Sequence, residues 1–131
     1  MRTKVLLPVV CVALAVVAGA RAAAPPPQLV GTWTRTVSAT DVARAKSTRI
    51  KAGSTWTLVV TTHKASLRST GVAGYTGAIV PATATLVNVE LGGDKANLYA
   101  WRRAGNTLVL SKKHDPNADL AAVLAGTWKR R

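Results

Sequence analysis

The tripeptide Gly-Thr-Trp occurs twice in the chain, at Gly31-Thr32-Trp33 and at Gly126-Thr127-Trp128. Each copy lies in a short run with strand character, Leu29 to Val37 for the first and Gly126 to Arg130 for the second. Glycine lets another backbone or ring approach closely, and the tryptophan two residues further on faces the same side of the strand. Two similar end strands with large anchors predict a sheet that closes on itself.

Residues 1–22 have the composition of a secretory signal peptide. Arg2 and Lys4 give a basic start, residues 5–18 are almost wholly apolar, and small residues follow in an A-x-A pattern. The apolar run is shorter than the roughly 20 residues that span a bilayer, so cleavage after Ala22 is favoured over an uncleaved anchor. We therefore expect a secreted or periplasmic (cell-envelope) protein with no transmembrane segment after cleavage.

The only cysteine, Cys11, lies inside that signal segment, so the mature chain has no disulfide. An exported domain without disulfides depends on its hydrophobic core for stability. The 109 residues that remain are enough for one domain. We place a proline-rich leader at 23–28 and a barrel domain at 29–131.

The chain is strongly basic, with 18 Lys and Arg against 5 Asp and Glu. Without Arg2, Lys4 and Arg21 the mature domain keeps a charge of +10. Such a charge favours contact with acidic envelope polymers, anionic lipid or nucleic acid, although it also serves solubility alone. The basic residues are spread along the chain, and Trp56 and Trp101 lie in alternating patterns that favour burial. A solvated charged surface is therefore favoured over a nucleic-acid site.

Alternating apolar residues predict about eight strands joined as hairpins, with one or two short helices. The strongest pattern is Thr55 to Thr62. Weaker strands are predicted at Ala65–Thr70, Ala78–Val80, Thr83–Leu91, Asn97–Arg103 and Thr107–Ser111. The segment with Gly71, Gly74 and Gly77 is predicted to bend sharply, and 112–117 to form a loop. The fold class is thus all-β, a small antiparallel up-and-down barrel, and eight strands make the smallest barrel that holds a small ligand.

The inward-facing positions of such a barrel decide what it binds. The side chains expected to face inward and to form a ligand site are Trp56, Leu58, Val60, Tyr99 and Trp101. Apolar walls with aromatic rings suit a lipid-like or flat hydrophobic molecule. The alternative is that the same side chains fill the interior and leave a packed core.

Catalytic chemistry is poorly supplied. His63 and His114 are the only histidines, and no nucleophile-elbow motif accompanies the serines near His63. Metal ligands are scarce, and the glycine spacing does not match a phosphate loop. We expect a protein that is not an enzyme, with no metal and no cofactor; a hydrolase that uses one of the two histidines is the remote alternative.

With Gly31-Thr32-Trp33 opening its first strand, the chain resembles the lipocalin and wider calycin group, and most of all the small secreted lipocalin-like domains of actinobacteria. The resemblance continues at Tyr99-Ala100-Trp101, at Asn106-Thr107-Leu108 and in the segment that ends Leu124-Ala125-Gly126-Thr127-Trp128. It implies that the first tryptophan packs at the closed end of the barrel, crossed by a basic residue from the last strand, either Arg130 or Lys129. It assigns a barrel-closing role to Gly31, Trp33, Gly126, Trp128 and Arg130.

These observations favour a secreted, non-enzymatic protein that binds a small hydrophobic ligand. The main alternative is an interaction module whose charge holds it to an anionic polymer of the cell envelope or of another surface.

Replacement of either end tryptophan by alanine is expected to lower the thermal midpoint strongly. A buried tryptophan removes roughly 150–250 Å² from water, which corresponds to at most about 4–6 kcal/mol. A domain of this size has a total stability of about 5–10 kcal/mol. Thermal melts of Trp33→Ala and Trp128→Ala test this, and an unchanged midpoint would refute the core assignment.

Overall fold

The computed structural model describes residues 24–92 and 97–131. The predicted signal peptide, with Cys11, and residues 93–96, which include part of a hairpin turn that the sequence predicts at Gly92-Gly93-Asp94, lie outside the described residues. The eight strands are β1 (Gly31–Thr36), β2 (Thr55–Val60), β3 (Ala65–Ser69), β4 (Val72–Pro81), β5 (Leu86–Leu91), β6 (Leu98–Ala104), β7 (Thr107–His114) and β8 (Gly126–Arg130). Each strand pairs antiparallel with the next, and β8 pairs with β1, so the sheet is a closed up-and-down barrel. The predicted fold class is confirmed.

Two short helices lie at one end of this barrel, here called the helical end. Helix α1 (Ala39–Ala45) joins β1 to β2, and helix α2 (Ala118–Leu124) joins β7 to β8; the two helices pack against each other. Ser38 caps α1 in a reciprocal capping box with Asp41, and Asn117 caps α2. Within the described residues no helix is long and apolar enough to cross a membrane.

The barrel interior is filled by large side chains from nearly every strand. The alternation along β2 buries every second residue, and β5 does the same, as expected for a strand with one face toward a core. The largest fully buried side chains are Trp33, Trp56, Trp128 and Tyr99. The helix α2 adds its residues 120–124 to the buried set, so the helical end is covered by apolar side chains.

The pairing of β1 with β8 brings the two Gly-Thr-Trp copies together. Trp33 lies opposite Arg130, and Thr34 lies opposite Lys129. Each indole donates to the carbonyl four residues before it. The bond from Trp33 Nε1 to Leu29 O is 2.9 Å, and the bond from Trp128 Nε1 to Leu124 O is 3.0 Å. The two copies therefore occupy equivalent positions on either side of the seam.

Arginines complete this equivalence. The guanidinium of Arg35 lies 5.8 Å from the ring centre of Trp128, and that of Arg130 lies 5.7 Å from the ring centre of Trp33. Each arginine also covers the glycine of the other copy, Arg35 at Gly126 and Arg130 at Gly31. The seam is thus closed by two reciprocal tryptophan–arginine contacts, a geometry in which cations are attracted to the ring face.

The structure also settles which basic residue of the last strand crosses the first tryptophan. Arg130 lies over the ring of Trp33, whereas Lys129 Nζ lies 3.3 Å from the hydroxyl of Thr107. Arg103 of β6 adds a second cation, 5.4 Å from the same ring, and donates to Gln28 O at 2.9 Å.

Two segments differ from the sequence-based expectation. The glycine-rich segment bends only at Gly71, in the turn between β3 and β4, whereas Gly74 and Gly77 lie within β4. Gly77 lies so close to the Glu90 carbonyl that a side chain would overlap it, so this glycine serves the close approach of β5. Strand β7 continues to His114, since Lys112 pairs with Tyr99 and His114 with Leu98. Of the loop predicted at 112–117, residues 112–114 therefore belong to β7, and the loop begins at residue 115.

We expect Gly126→Ala to destabilise the barrel more than Gly31→Ala. Both glycines have a positive φ, 158° and 149°, which side chains rarely adopt. A Cβ at Gly126 would overlap the buried Arg35 guanidinium, whereas one at Gly31 would lie 3.4 Å from that of the exposed Arg130. The expected losses in unfolding free energy are roughly 2–4 and 1–2 kcal/mol.

Urea denaturation measures both losses, and Gly53→Ala is the control. Gly53 has a φ of 90° and no atom within 4 Å of an added Cβ, so that variant isolates backbone strain. Equal losses for Gly126→Ala and Gly53→Ala would contradict the proposed contact with Arg35.

Candidate functional site

A buried ion pair organises the helical end of the barrel. Arg35 points inward from β1, and its side chain is 6% exposed. Its Nη2 donates to Asp41 Oδ2 at 2.7 Å, and its Nη1 donates to the carbonyls of Ala122 and Val123 near the end of α2. Arg35 thus holds both helices: it binds the carboxylate of Asp41 on α1 and two main-chain carbonyls near the C-terminus of α2. The dipole of α2 favours a cation at that end.

Asp41 receives more hydrogen bonds than any other carboxylate described. Its Oδ2 accepts from the amide of Ser38 at 2.8 Å and from the Ser38 hydroxyl at 2.9 Å, and its Oδ1 accepts from Arg44 Nη2 at 2.6 Å. Burial alone would raise the pKa of Asp41, but the bonds from Ser38 and the two arginines outweigh it and hold the pKa below its usual value. Burial lowers the pKa of Arg35, and Asp41 opposes that change.

A surface cleft of about 380 Å³ lies between the two helices and strand β7. Its walls are Arg44, Ala45, Val109, Leu110, Ser111, Lys112, Ala121, Ala125 and Gly126. Four of these residues are alanine or glycine, so the space exists because small side chains face each other where the helices meet the sheet. The volume is within the range of small-molecule sites. We call it the helix cleft.

The helix cleft has an apolar lining with cations beside it. Arg44 is 57% exposed, and Asp41 orients its guanidinium. Lys112 is exposed on the last part of β7. Asp41 pairs with both Arg44 and the buried Arg35, so these two arginines and one carboxylate together have a net charge of +1. An apolar ligand that carries an acidic group fits this distribution, because its tail is shielded from water and its anion lies near Arg44 or Lys112.

The five side chains predicted to line a ligand site all belong to the barrel interior. Four of them, Trp56, Leu58, Val60 and Tyr99, are at most 2% exposed, and Trp101 is partly buried against the same core. A ligand among them would have to displace packed side chains. Trp56 also borders a separate surface pocket of about 250 Å³ at the helical end.

The inward face of β6 and the residue just before it add further polar groups to the interior. The Tyr99 hydroxyl donates to Asp115 Oδ2. Burial is the main cause that raises the pKa of Tyr99, and the Asp115 carboxylate raises it further. The side-chain amide of Asn97 and the Nε1 of Trp101 are buried and find no hydrogen-bond partner in the structure as described. Unpaired buried groups of this kind are costly.

The two histidines do not approach each other. His63 lies in the turn between β2 and β3, and His114 ends β7, so they sit at opposite ends of the barrel. Over residues 24–92 and 97–131, no group of three His, Cys, Asp or Glu side chains is placed to hold a metal ion.

Comparison of the chain with models of protein families, with curated proteins and with solved structures found no match. The closed antiparallel barrel of eight strands is compatible with a calycin-like fold.

Asp41→Asn is expected to lower the free energy of unfolding at neutral pH and to reduce the loss of that free energy as the pH falls. The folded-state pKa of Asp41 lies below the ordinary value of about 3.9, so its contribution is present at neutral pH and is lost as the pH falls below about 4–5. Removal of the charge also leaves Arg35 buried without a counter-ion, at a cost of roughly 3–5 kcal/mol.

Urea denaturation between pH 7 and pH 3 measures both effects. Arg44→Gln is the control, since it removes only the exposed partner of Asp41 and should cost about 1 kcal/mol or less. The same acid dependence in Asp41→Asn as in the parent protein would contradict the role given to this carboxylate.

Proposed function

We propose that this protein is an exported, non-enzymatic binding protein for a small hydrophobic ligand with an acidic group. The observation that carries the proposal is the helix cleft, an apolar space of about 380 Å³ with Arg44 and Lys112 in its walls. The signal-peptide composition of residues 1–22 supports a location outside the cytoplasm.

The state of the interior favours the helix cleft over the barrel centre as the binding place. Trp56, Leu58, Val60 and Tyr99 are packed, so binding among them needs rearrangement of the core. The cleft already has room and is open to solvent. Ligand sites are usually largely formed before the ligand arrives.

We further propose that the chain is a lipocalin-like domain of the small secreted type known from actinobacteria. The Gly-Thr-Trp copies, the Tyr99-Ala100-Trp101 segment and the sequential closed barrel support this assignment.

Displacement of anilinonaphthalene sulfonate, an anionic aromatic dye, tests the binding proposal. Decanoate should displace the dye in a saturable way and decanol should do so more weakly, because only decanoate has a charge for the cations at the cleft. Lys112→Gln should lower the affinity for decanoate about 2- to 5-fold, which is the effect expected from the loss of one exposed charge pair. Ala125→Leu should weaken both compounds more than 10-fold, because the larger side chain fills the cleft.

Matched variants separate the cleft from other sites. Lys113→Gln removes the neighbouring charge, which does not line the cleft, and should bind decanoate as the parent protein does. Asn97→Leu alters the barrel interior and should also leave binding unchanged. Dye binding that Asn97→Leu abolishes and Ala125→Leu leaves intact would move the ligand to the interior; no saturable binding would contradict the proposal.

A second candidate function is attachment to an anionic polymer, and the placement of the acidic residues favours it. In the described part of the chain, three of the four carboxylates have side-chain partners: Asp41 binds arginines, Asp115 accepts from Tyr99, and Asp119 accepts from Ser47 at 2.6 Å. Most basic side chains are exposed. The outer surface therefore has few carboxylates to offset its positive charge.

A further inference from the structure

The outer wall formed by β8, β1, β2 and β3 differs from the rest of the surface. Its outward positions on β1 and β2 are mostly threonine, because these strands alternate large inward residues with Thr34, Thr36, Thr55 and Thr57. Directly opposite residues of paired antiparallel strands point to the same side of a sheet. The wall therefore presents an array of hydroxyl groups.

The strand register places cations on both sides of this array. Lys129 of β8 lies opposite Thr34, Thr34 lies opposite Thr57, and Thr57 lies opposite Arg68 of β3. The Lys129 ammonium reaches the Thr107 hydroxyl of β7 at 3.3 Å, so this cation marks the β7 side of the wall. With neighbouring strands about 4.8 Å apart, the row from Lys129 to Arg68 is roughly 14 Å long. Arg131 continues the cationic side, and its amide is held at 2.9 Å from Thr32 O.

The wall is shaped as well as charged. A shallow groove of about 460 Å³ is bounded by Thr34, Thr57, Arg68, Thr70 and Arg131. The hydroxyls of Thr36 and Thr55 lie 3.2 Å apart at its edge. We call this surface the threonine wall.

No described Asp or Glu side chain lies on the threonine wall. Glu90, the exposed acidic residue among those described, is on β5, which is the strand opposite β1 in a ring of eight. The acidic residues near the helices have the internal partners given above. An approaching polyanion therefore meets cations and hydroxyls without repulsion.

We propose that the threonine wall is a docking surface for an anionic polysaccharide. This deepens the second candidate function and is independent of the helix cleft. The row of hydroxyls between two cations fits a chain that has sugar hydroxyls and regularly spaced carboxylate or sulfate groups. A nucleic acid fits less well, because Trp33, Trp56 and Trp128 are buried and no tryptophan is available there to stack on bases.

Titration calorimetry with heparin, a sulfated polysaccharide, at two salt concentrations tests the proposal. The double variant Arg68→Gln/Lys129→Gln should bind about 5- to 25-fold more weakly, the size expected for two exposed charge pairs, and should depend less on salt. The control Arg102→Gln/Lys113→Gln removes the same amount of charge from β6 and β7, and its affinity for heparin should fall less than about 2-fold.

A second pair of measurements tests the hydroxyl groups and the class of partner. Thr34→Val/Thr57→Val keeps the charge and should lower the affinity for heparin at least 2-fold. Thermal melts establish that this variant is folded. Single-stranded poly-dT should bind the parent protein more weakly than heparin of equal charge.

Each outcome has one meaning. Equal losses in the wall and control variants, or unchanged heparin binding by the threonine variant, would overturn the docking surface while leaving the second candidate function in place. Tighter binding of poly-dT with loss in the wall variant would assign the surface to nucleic acid and overturn the polysaccharide. If the parent protein bound neither polymer, the second candidate function would fail together with the inference.

Discussion

The contact of each end tryptophan with an arginine from the opposing end strand is the interaction on which this barrel depends. A barrel has no edge only if its first and last strands pair, and here that pair is short. Trp33 and Trp128 are wholly buried beside it, each indole is fixed by a carbonyl of the preceding turn, and each ring faces an arginine of the other strand. Closure therefore rests on side-chain packing as much as on the backbone ladder.

Arg35 links this seam to the surface chemistry. Its guanidinium faces Trp128, bonds Asp41 of α1 and reaches carbonyls of α2. Because both helices are fixed by one buried group, the cleft between them and β7 has a defined shape. Because the interior is filled to hold the seam, the surface is where a ligand or partner finds room. The two proposed binding surfaces, one at the helical end and one on the outer wall, follow from that constraint.

Much of the fold was accessible from the sequence because its signals are local. The alternation in Thr55 to Thr62 and the copies of Gly-Thr-Trp predicted strands and closure, and both predictions are confirmed. The similarity of the ends is in fact longer than the tripeptide: Leu-x-Gly-Thr-Trp-x-Arg runs from Leu29 to Arg35 and again from Leu124 to Arg130. The arginine of each copy is the residue that crosses the other copy; the resemblance implied this role for Arg130 or Lys129 and gave none to Arg35.

Other features depend on contacts between distant segments and had no local signal. The glycines of β4 suggested a bend, but Gly77 serves the close approach of β5. The burial of Arg35 had no signal in its own segment, because the carbonyls that it binds come from residues 122 and 123. The helix cleft is made by small residues of α1, α2 and β8, and its shape emerges only when these elements meet.

Closure of the barrel by β1 and β8 underlies every contact described above, and a disulfide across the seam tests it most directly. The mature chain expected from the sequence has no cysteine, so Thr34→Cys/Lys129→Cys introduces one pair, at positions that lie directly opposite each other. Opposite residues of an antiparallel pair have Cα atoms about 4.5–5.5 Å apart, within the range a disulfide spans. Mild oxidation should give an intramolecular bond in nearly all molecules, detected by mass spectrometry, and should raise the thermal midpoint. Free thiols or only intermolecular disulfides in the folded protein would contradict a barrel closed by β1 and β8.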